Sequence, residues 1–138
     1  MVETRYIDIK SRDHLDIINL TEKVSNEISK SLISNGIALL FVPGSTGALT
    51  TLEFEPGLEA DLQDFLERLI PYNSKYKHHQ TWGDDNGSGH LQSALLKTSF
   101  SVPVVSKKMT LGTWQQIIFV ECDTRPRSRS IVLQLVGE

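Results

Sequence analysis

Thirteen consecutive residues, His78-His79-Gln80-Thr81-Trp82-Gly83-Asp84-Asp85-Asn86-Gly87-Ser88-Gly89-His90, hold three imidazoles and two carboxylates. Histidine and carboxylate side chains ligate zinc and similar divalent ions, and they are the groups that most often carry protons in catalysis. The spacing matches no zinc motif and the segment has no cysteine. Three readings stay open: a metal or catalytic site, a solvated loop whose histidines cap strands, and a flexible connector. A second segment, Pro43-Gly44-Ser45-Thr46-Gly47-Ala48-Leu49-Thr50, follows an apolar run. Its glycines would let backbone N–H groups approach an oxyanion, with Ser45 and Thr46 as further donors. It lacks the Gly-Lys-Ser/Thr ending of a P-loop, so a plain strand-to-strand turn is the competing reading. A third segment, Glu121-Cys122-Asp123-Thr124-Arg125-Pro126-Arg127-Ser128-Arg129, carries three arginines within five residues. Guanidinium forks grip phosphate, but they also pair with nearby acids such as Glu121 and Asp123.

Bulk properties limit what such segments could serve. A chain of 138 residues is the size of one domain, taken here as 1–138, with room for a real core. Its formal charge of −3 gives no global attraction to nucleic acid or to an anionic membrane, so an anionic ligand needs a local basic cluster. The single cysteine, Cys122, has no partner for an internal disulfide and lies in an apolar run, which reads as a buried, inert thiol. The N-terminal stretch has acids from its third residue and no apolar h-region, and the longest apolar runs are too short to cross a bilayer. A cytoplasmic location is expected.

Elements must then position these segments. Tyr6–Lys10 alternates and predicts a strand; His14–Asn19 is ambiguous between turn and a second strand. Val24, Ile28 and Leu32 recur every four residues, predicting a helix over Thr21–Ser34 that stops at Asn35-Gly36. Ile37–Val42 reads as a buried strand and Gly47–Glu53 as another. Leu62, Phe65, Leu66, Leu69 and Ile70 lie on one face of a helix with Glu59 and Asp61 near its start and Pro71 at its end. From Asn73 to Gly89 no periodicity survives, which predicts a long irregular segment of the kind that is commonly functional. A short helix over His90–Lys97 follows, then strands over Phe100–Val104, Lys108–Leu111, Gln116–Cys122 and Ser130–Val136. Trp114, in Leu111-Gly112-Thr113-Trp114-Gln115-Gln116, reads as packing rather than as a ligand platform. Connections among the last strands are too short for crossover helices, so they pair antiparallel. The expected fold is α+β, a single domain with a largely antiparallel sheet and its two main helices on one side.

Several separated stretches in this order resemble the YjbQ-like family: Gly44-Ser45-Thr46 with Ala48-Leu49-Thr50, Asp85-Asn86, His90-Leu91, Ser93–Leu96, Leu111–Gln115, Glu121, Pro126–Arg129 and Val136-Gly137-Glu138. The resemblance covers essentially the whole chain. It implies a small α+β domain that assembles as a homotrimer, in a family whose members are largely uncharacterised and are often labelled secondary thiamine-phosphate synthases. That reaction joins a pyrimidine-methyl diphosphate to a thiazole phosphate and releases pyrophosphate. It needs phosphate grips, a divalent cation on the diphosphate and shelter for a carbocation-like centre.

The positions that match the family are His78, Asp85, His90, Gln115, Glu121, Arg127 and Arg129. The resemblance thus implies His90, Asp85 and Glu121 as catalytic residues, with His78 and His90 binding a divalent ion, magnesium or zinc. Arg127, Arg129, Ser45, Thr46 and Gln115 would hold the phosphates of a small phosphorylated molecule. Many relatives carry a histidine where this chain has Gly44, and another near Ser88, which leaves His78 and His90 with carboxylates or water to complete any coordination shell. Two other functions are compatible with the same residues: a metal-dependent hydrolase, and a binder of a phosphorylated metabolite without catalysis.

Overall fold

A computed structural model describes all 138 residues. Its eight strands and four helices run β1(Val2–Lys10), β2(Ile17–Asn19), α1(Thr21–Lys30), β3(Gly36–Phe41), β4(Gly47–Leu52), α2(Pro56–Leu69), α3(Lys77–Trp82), α4(Gly87–Leu96), β5(Ser99–Val105), β6(Lys108–Met109), β7(Gln116–Glu121) and β8(Ser128–Gly137). Every strand pair is antiparallel. The strands divide into a five-stranded sheet ordered β1-β8-β3-β5-β6 and a three-stranded sheet ordered β2-β7-β4. The α+β class and antiparallel pairing are those expected.

Strand β7 is the hub. Alternate side chains of a strand point to opposite faces, so Ile117 and Phe119 face one way and Ile118 and Val120 the other. The first pair joins Leu40, Leu133, Leu135, Ile7 and the α1 residues Val24 and Ile28 in the core between the sheets. The second pair packs with Ala48, Cys122 and Leu66 of α2, with Leu62 and Leu96 against them. All four are fully buried, and each contributes about 1.5–3 kcal/mol relative to exposure. Burial on both faces is why the segment reads as a continuous apolar run instead of an alternating one. The two long helices therefore serve different cores: α1 closes the gap between the sheets, and α2 covers the outer face of the small one.

Several local expectations need correcting. Helix α1 ends at Lys30, four residues early, because the Ser31 N–H and hydroxyl both donate to the Ile28 carbonyl. Leu32, placed by its spacing on the buried face, is 74% exposed, and Ile33 takes the core position. In α2 only Leu66 is buried, while Phe65 and Leu69 face outward. Trp114 is 72% exposed and packs in neither core.

The largest correction concerns Asn73–Gly89. It is not irregular throughout: α3 occupies Lys77–Trp82, Gly83 closes it in the left-handed region at φ 70°, and α4 starts at Gly87. Helix α4 is the short helix expected over His90–Lys97, but it starts three residues earlier; that first turn was missed because the residues it buries, Gly87, Ser88 and Gly89, give no hydrophobic signal. Its first turn lies directly on the strand end. A Cβ on Gly89 would sit 2.1 Å from the Cys122 carbonyl oxygen, so this approach admits only glycine.

Candidate functional site

Two polar groups meet where the end of β7, the start of β8, the β3–β4 turn and the first turn of α4 converge. The inner group is ionic. Glu121 is fully buried, and its carboxylate accepts from Arg129 Nε at 3.1 Å and Nη2 at 2.5 Å and from the Ser11 hydroxyl at 2.7 Å. Arg129, itself 7% exposed, uses Nη2 again on the Thr46 hydroxyl at 3.0 Å and lies 5.9 Å from the Phe119 ring centroid. Thr46 donates in turn to Asp123 Oδ2 at 3.1 Å, and Arg127 Nη1 reaches the same oxygen at 2.7 Å. Burial works to raise the Asp123 pKa, but the Thr124 N–H, the Thr46 hydroxyl, Arg127 and Asn86 outweigh it and hold the carboxyl below its ordinary value.

The outer group is built on α3 and α4. Residues Lys75, Tyr76, Lys77, His78, Gly87, His90 and Leu91 line an open cleft of about 560 Å³. The His78 and His90 rings lie 4.5 Å apart, centroid to centroid, tilted by 59°. His78 Nε2 contacts two acceptors, Asp84 Oδ1 at 2.9 Å and Asn86 Oδ1 at 3.1 Å. No carboxylate is among the lining residues, while two lysines are, so the cleft favours an anion.

Asn86 joins the groups: its Nδ2 donates to Asp123 Oδ1 across a long 3.5 Å. The imidazoles of the polar segment and the guanidinium groups of the β7–β8 connection are thus parts of one continuous network. Of the residues singled out in the sequence, His78 and His90 share the cleft, and Glu121, Arg129, Thr46 and Arg127 share the ionic cluster.

The remainder are placed elsewhere. Asp85 faces away from the imidazoles. Its carboxylate accepts from the Tyr72 hydroxyl at 2.6 Å and the Thr124 hydroxyl at 3.1 Å, and these bonds, Tyr72 foremost, lower its pKa. The carboxylate beside His78 is its neighbour Asp84. Ser45 is exposed at the tip of the turn. Gln115 bonds the Gly112 N–H and the Thr51 hydroxyl at the far end of the β4–β7 ladder. That is roughly 20 Å of extended chain away from Glu121 at the ordinary rise per residue. Cys122 is buried and its thiol is pushed up to about 12 by burial, as an inert core residue requires.

Four further residues contribute to the site. Ser11 accepts from the Arg127 N–H at 2.9 Å while donating to Glu121. His14 Nδ1 donates to the Cys122 and Asp123 carbonyls at 3.1 and 3.0 Å, beside Tyr72. Asp123 and Asn86 form the bridge itself. Only Asp123 had a visible signal, its place just ahead of the three arginines as an acid they could pair with. Nowhere do three His, Cys, Asp or Glu side chains converge as a metal shell, and no helix is long and apolar enough to cross a membrane.

A family model described as "UPF0047 protein YjbQ-like" matches residues 5–138. A UPF0047 protein of Archaeoglobus fulgidus is 38% identical over 128 residues, covering 93% of this chain and 97% of that protein. The Bacillus subtilis UPF0047 protein YugU is 28% identical over 138 residues, covering 99% of this chain and all of the other. Among solved structures, a hypothetical protein of Aeropyrum pernix superposes with a TM-score of 0.92 at 34% identity over 99% of both chains. A Sulfolobus solfataricus protein, described as YbjQ-like and of unknown function, gives 0.89 at 31% identity over the whole of both.

Proposed function

Because the chain belongs to the YjbQ-like UPF0047 family, we propose that the His78–His90 cleft binds a small phosphorylated molecule and moves a proton on it. The observation that carries this reading is the lining itself: two imidazoles 4.5 Å apart in a cleft that also presents Lys75 and Lys77. Arg127 and Arg129 are committed to Asp123 and Glu121, so the phosphate grip falls to the lysines, with the first turn of α4 at Gly87 adding its positive dipole end. The reaction proposed is thiamine-phosphate formation. The thiazole nitrogen bonds to the pyrimidine methylene, the methylene–oxygen bond breaks, and pyrophosphate leaves with its negative charge met by Lys75 and Lys77; the proton moved is one that the exocyclic amine of the pyrimidine gives to an imidazole as the bond breaks and takes back once the carbon–nitrogen bond has formed.

His78 and His90 alone do not fit a resident metal, because catalytic zinc takes three protein ligands and magnesium prefers oxygen. A divalent ion in this proposal arrives on the diphosphate. Isothermal titration of pyrophosphate into the full chain tests the binding half. Lys75→Ala/Lys77→Ala is expected to weaken affinity by about tenfold, roughly 1.4 kcal/mol. Undiminished affinity would remove the lysines from the site.

The proposal includes a homotrimer in the cytoplasm. Supporting the assembly, the outer face of the five-stranded sheet carries the cross-strand rows Val2–Val136–Ile37–Pro103 and Tyr6–Val132–Phe41. Ile37 is 53% and Tyr6 65% exposed. Phe65, Leu69 and Trp114 add apolar surface elsewhere. Analytical ultracentrifugation is expected to return three times the 15.5 kDa chain mass; a monomer would refute the assembly.

A further inference from the structure

We infer that Asn86 and Asp84 are positioning residues that hold the proton of neutral His78 on Nε2, leaving Nδ1 as the acceptor nitrogen of the cleft. The inference deepens the reading above, since it names which atom of His78 would take the proton. Both neighbours of Nε2, Asp84 Oδ1 at 2.9 Å and Asn86 Oδ1 at 3.1 Å, present oxygen. A ring nitrogen between two acceptors must donate, and in a neutral imidazole the other nitrogen then keeps its lone pair. The amide of Asn86 has its own orientation fixed from the far side. Asp123, kept ionised by Arg127, Thr46 and the Thr124 N–H, can only accept, so Nδ2 faces Asp123 and Oδ1 faces His78.

A second observation points the same way. Asn86 is the N-cap residue of α4, where asparagine ordinarily accepts from the backbone N–H of the first turn. Here it makes no such bond; the side chain that would cap the helix is turned instead to the imidazole. His90 has no comparable restraint on either ring nitrogen, so the two imidazoles are unequal: one is oriented, the other is free. Carboxylate and amide partners behind a histidine commonly set which nitrogen acts, whether on a proton or a ligand.

Long-range ¹H–¹⁵N correlation spectra of the full-length, ¹⁵N-labelled protein, recorded above the histidine titration range, test this without any substrate. His14, which donates through Nδ1, supplies an internal reference of the opposite tautomer. Expected for His78 is the Nε2–H tautomer, with its imino proton protected from exchange and directly visible. Asp84→Ala/Asn86→Ala is expected to lose that protected proton while the His14 signal persists. Asp84→Asn, whose carbonyl still accepts, is expected to retain it. A wild-type His78 protonated on Nδ1 overturns the inference whatever the variants do, as does a protected Nε2–H that survives the double substitution. Failure here leaves pyrophosphate binding untouched, and failure of pyrophosphate binding leaves the tautomer untouched, so the two are separable.

Discussion

His90→Ala is expected to lower turnover of a pyrimidine-methyl diphosphate with a thiazole phosphate by about a hundred- to ten-thousand-fold, the usual weight of one positioned proton-transfer group. The same loss is expected for His78→Ala. The double variant should fall little further, because groups that act as a unit are strongly non-additive. The basis is the 4.5 Å spacing of the two rings in a cleft lined by Lys75 and Lys77, with the Asp84 carboxylate behind His78. Arg127→Ala in the same assay separates this arrangement from one in which the phosphate rides on the arginines. Arg127 is held by Asp123 at 2.7 Å, so its loss should reduce turnover less than about tenfold, through the network and not through a ligand contact. Full turnover in both histidine variants, measured by chromatography of the product, would end the proposal that this cleft is catalytic.

Arg129→Ala is expected to destabilise the fold by about 3–5 kcal/mol, since it strands the fully buried Glu121 carboxylate without its counter-ion. In urea the unfolding midpoint should move down by more than about 1 M. The Ser11 hydroxyl and the Asp123 N–H still donate to Glu121, which keeps the loss at that scale and not beyond it. Glu121→Leu/Arg129→Met offers the contrasting result. Removing both charges and filling the space with apolar groups should recover most of the stability, because the pair's attraction only offsets the cost of desolvating it. A single substitution costing less than about 1 kcal/mol would mean that water reaches Glu121 and that the cluster is not a dry ionic core. The Glu121 carboxylate anchors the network from within, with Asp123 and Asn86 between it and His78.

What could be read from the residues themselves was whatever short-range physics specifies. Alternation in Tyr6–Lys10, the doubly buried run around Ile117–Val120 and the short connections between the last strands sufficed for antiparallel strands and for the α+β class. The chemistry-bearing segments were also visible, because imidazoles and guanidinium groups cluster along the chain. Tertiary structure decided the rest. A helical period shows that α2 has an apolar face but not what covers it, so Phe65 and Leu69 could be placed inside only by assumption. The first turn of α4, ahead of the expected start at His90, stays hidden because it packs by close backbone approach through Gly87 and Gly89, which adds no hydrophobic side chain to count. Which acid serves His78, Asp84 or Asp85, turns on the direction of two adjacent side chains after a left-handed Gly83. Pairing of the arginines with Glu121 and Asp123 was one of the alternatives open to the sequence, but the Asn86–Asp123 bridge and the contacts of Thr46 with Asp123 and of Ser11 with Glu121 join residues 37, 77 and 110 positions apart. Such contacts exist only once the chain has folded, and local composition carries no information about them.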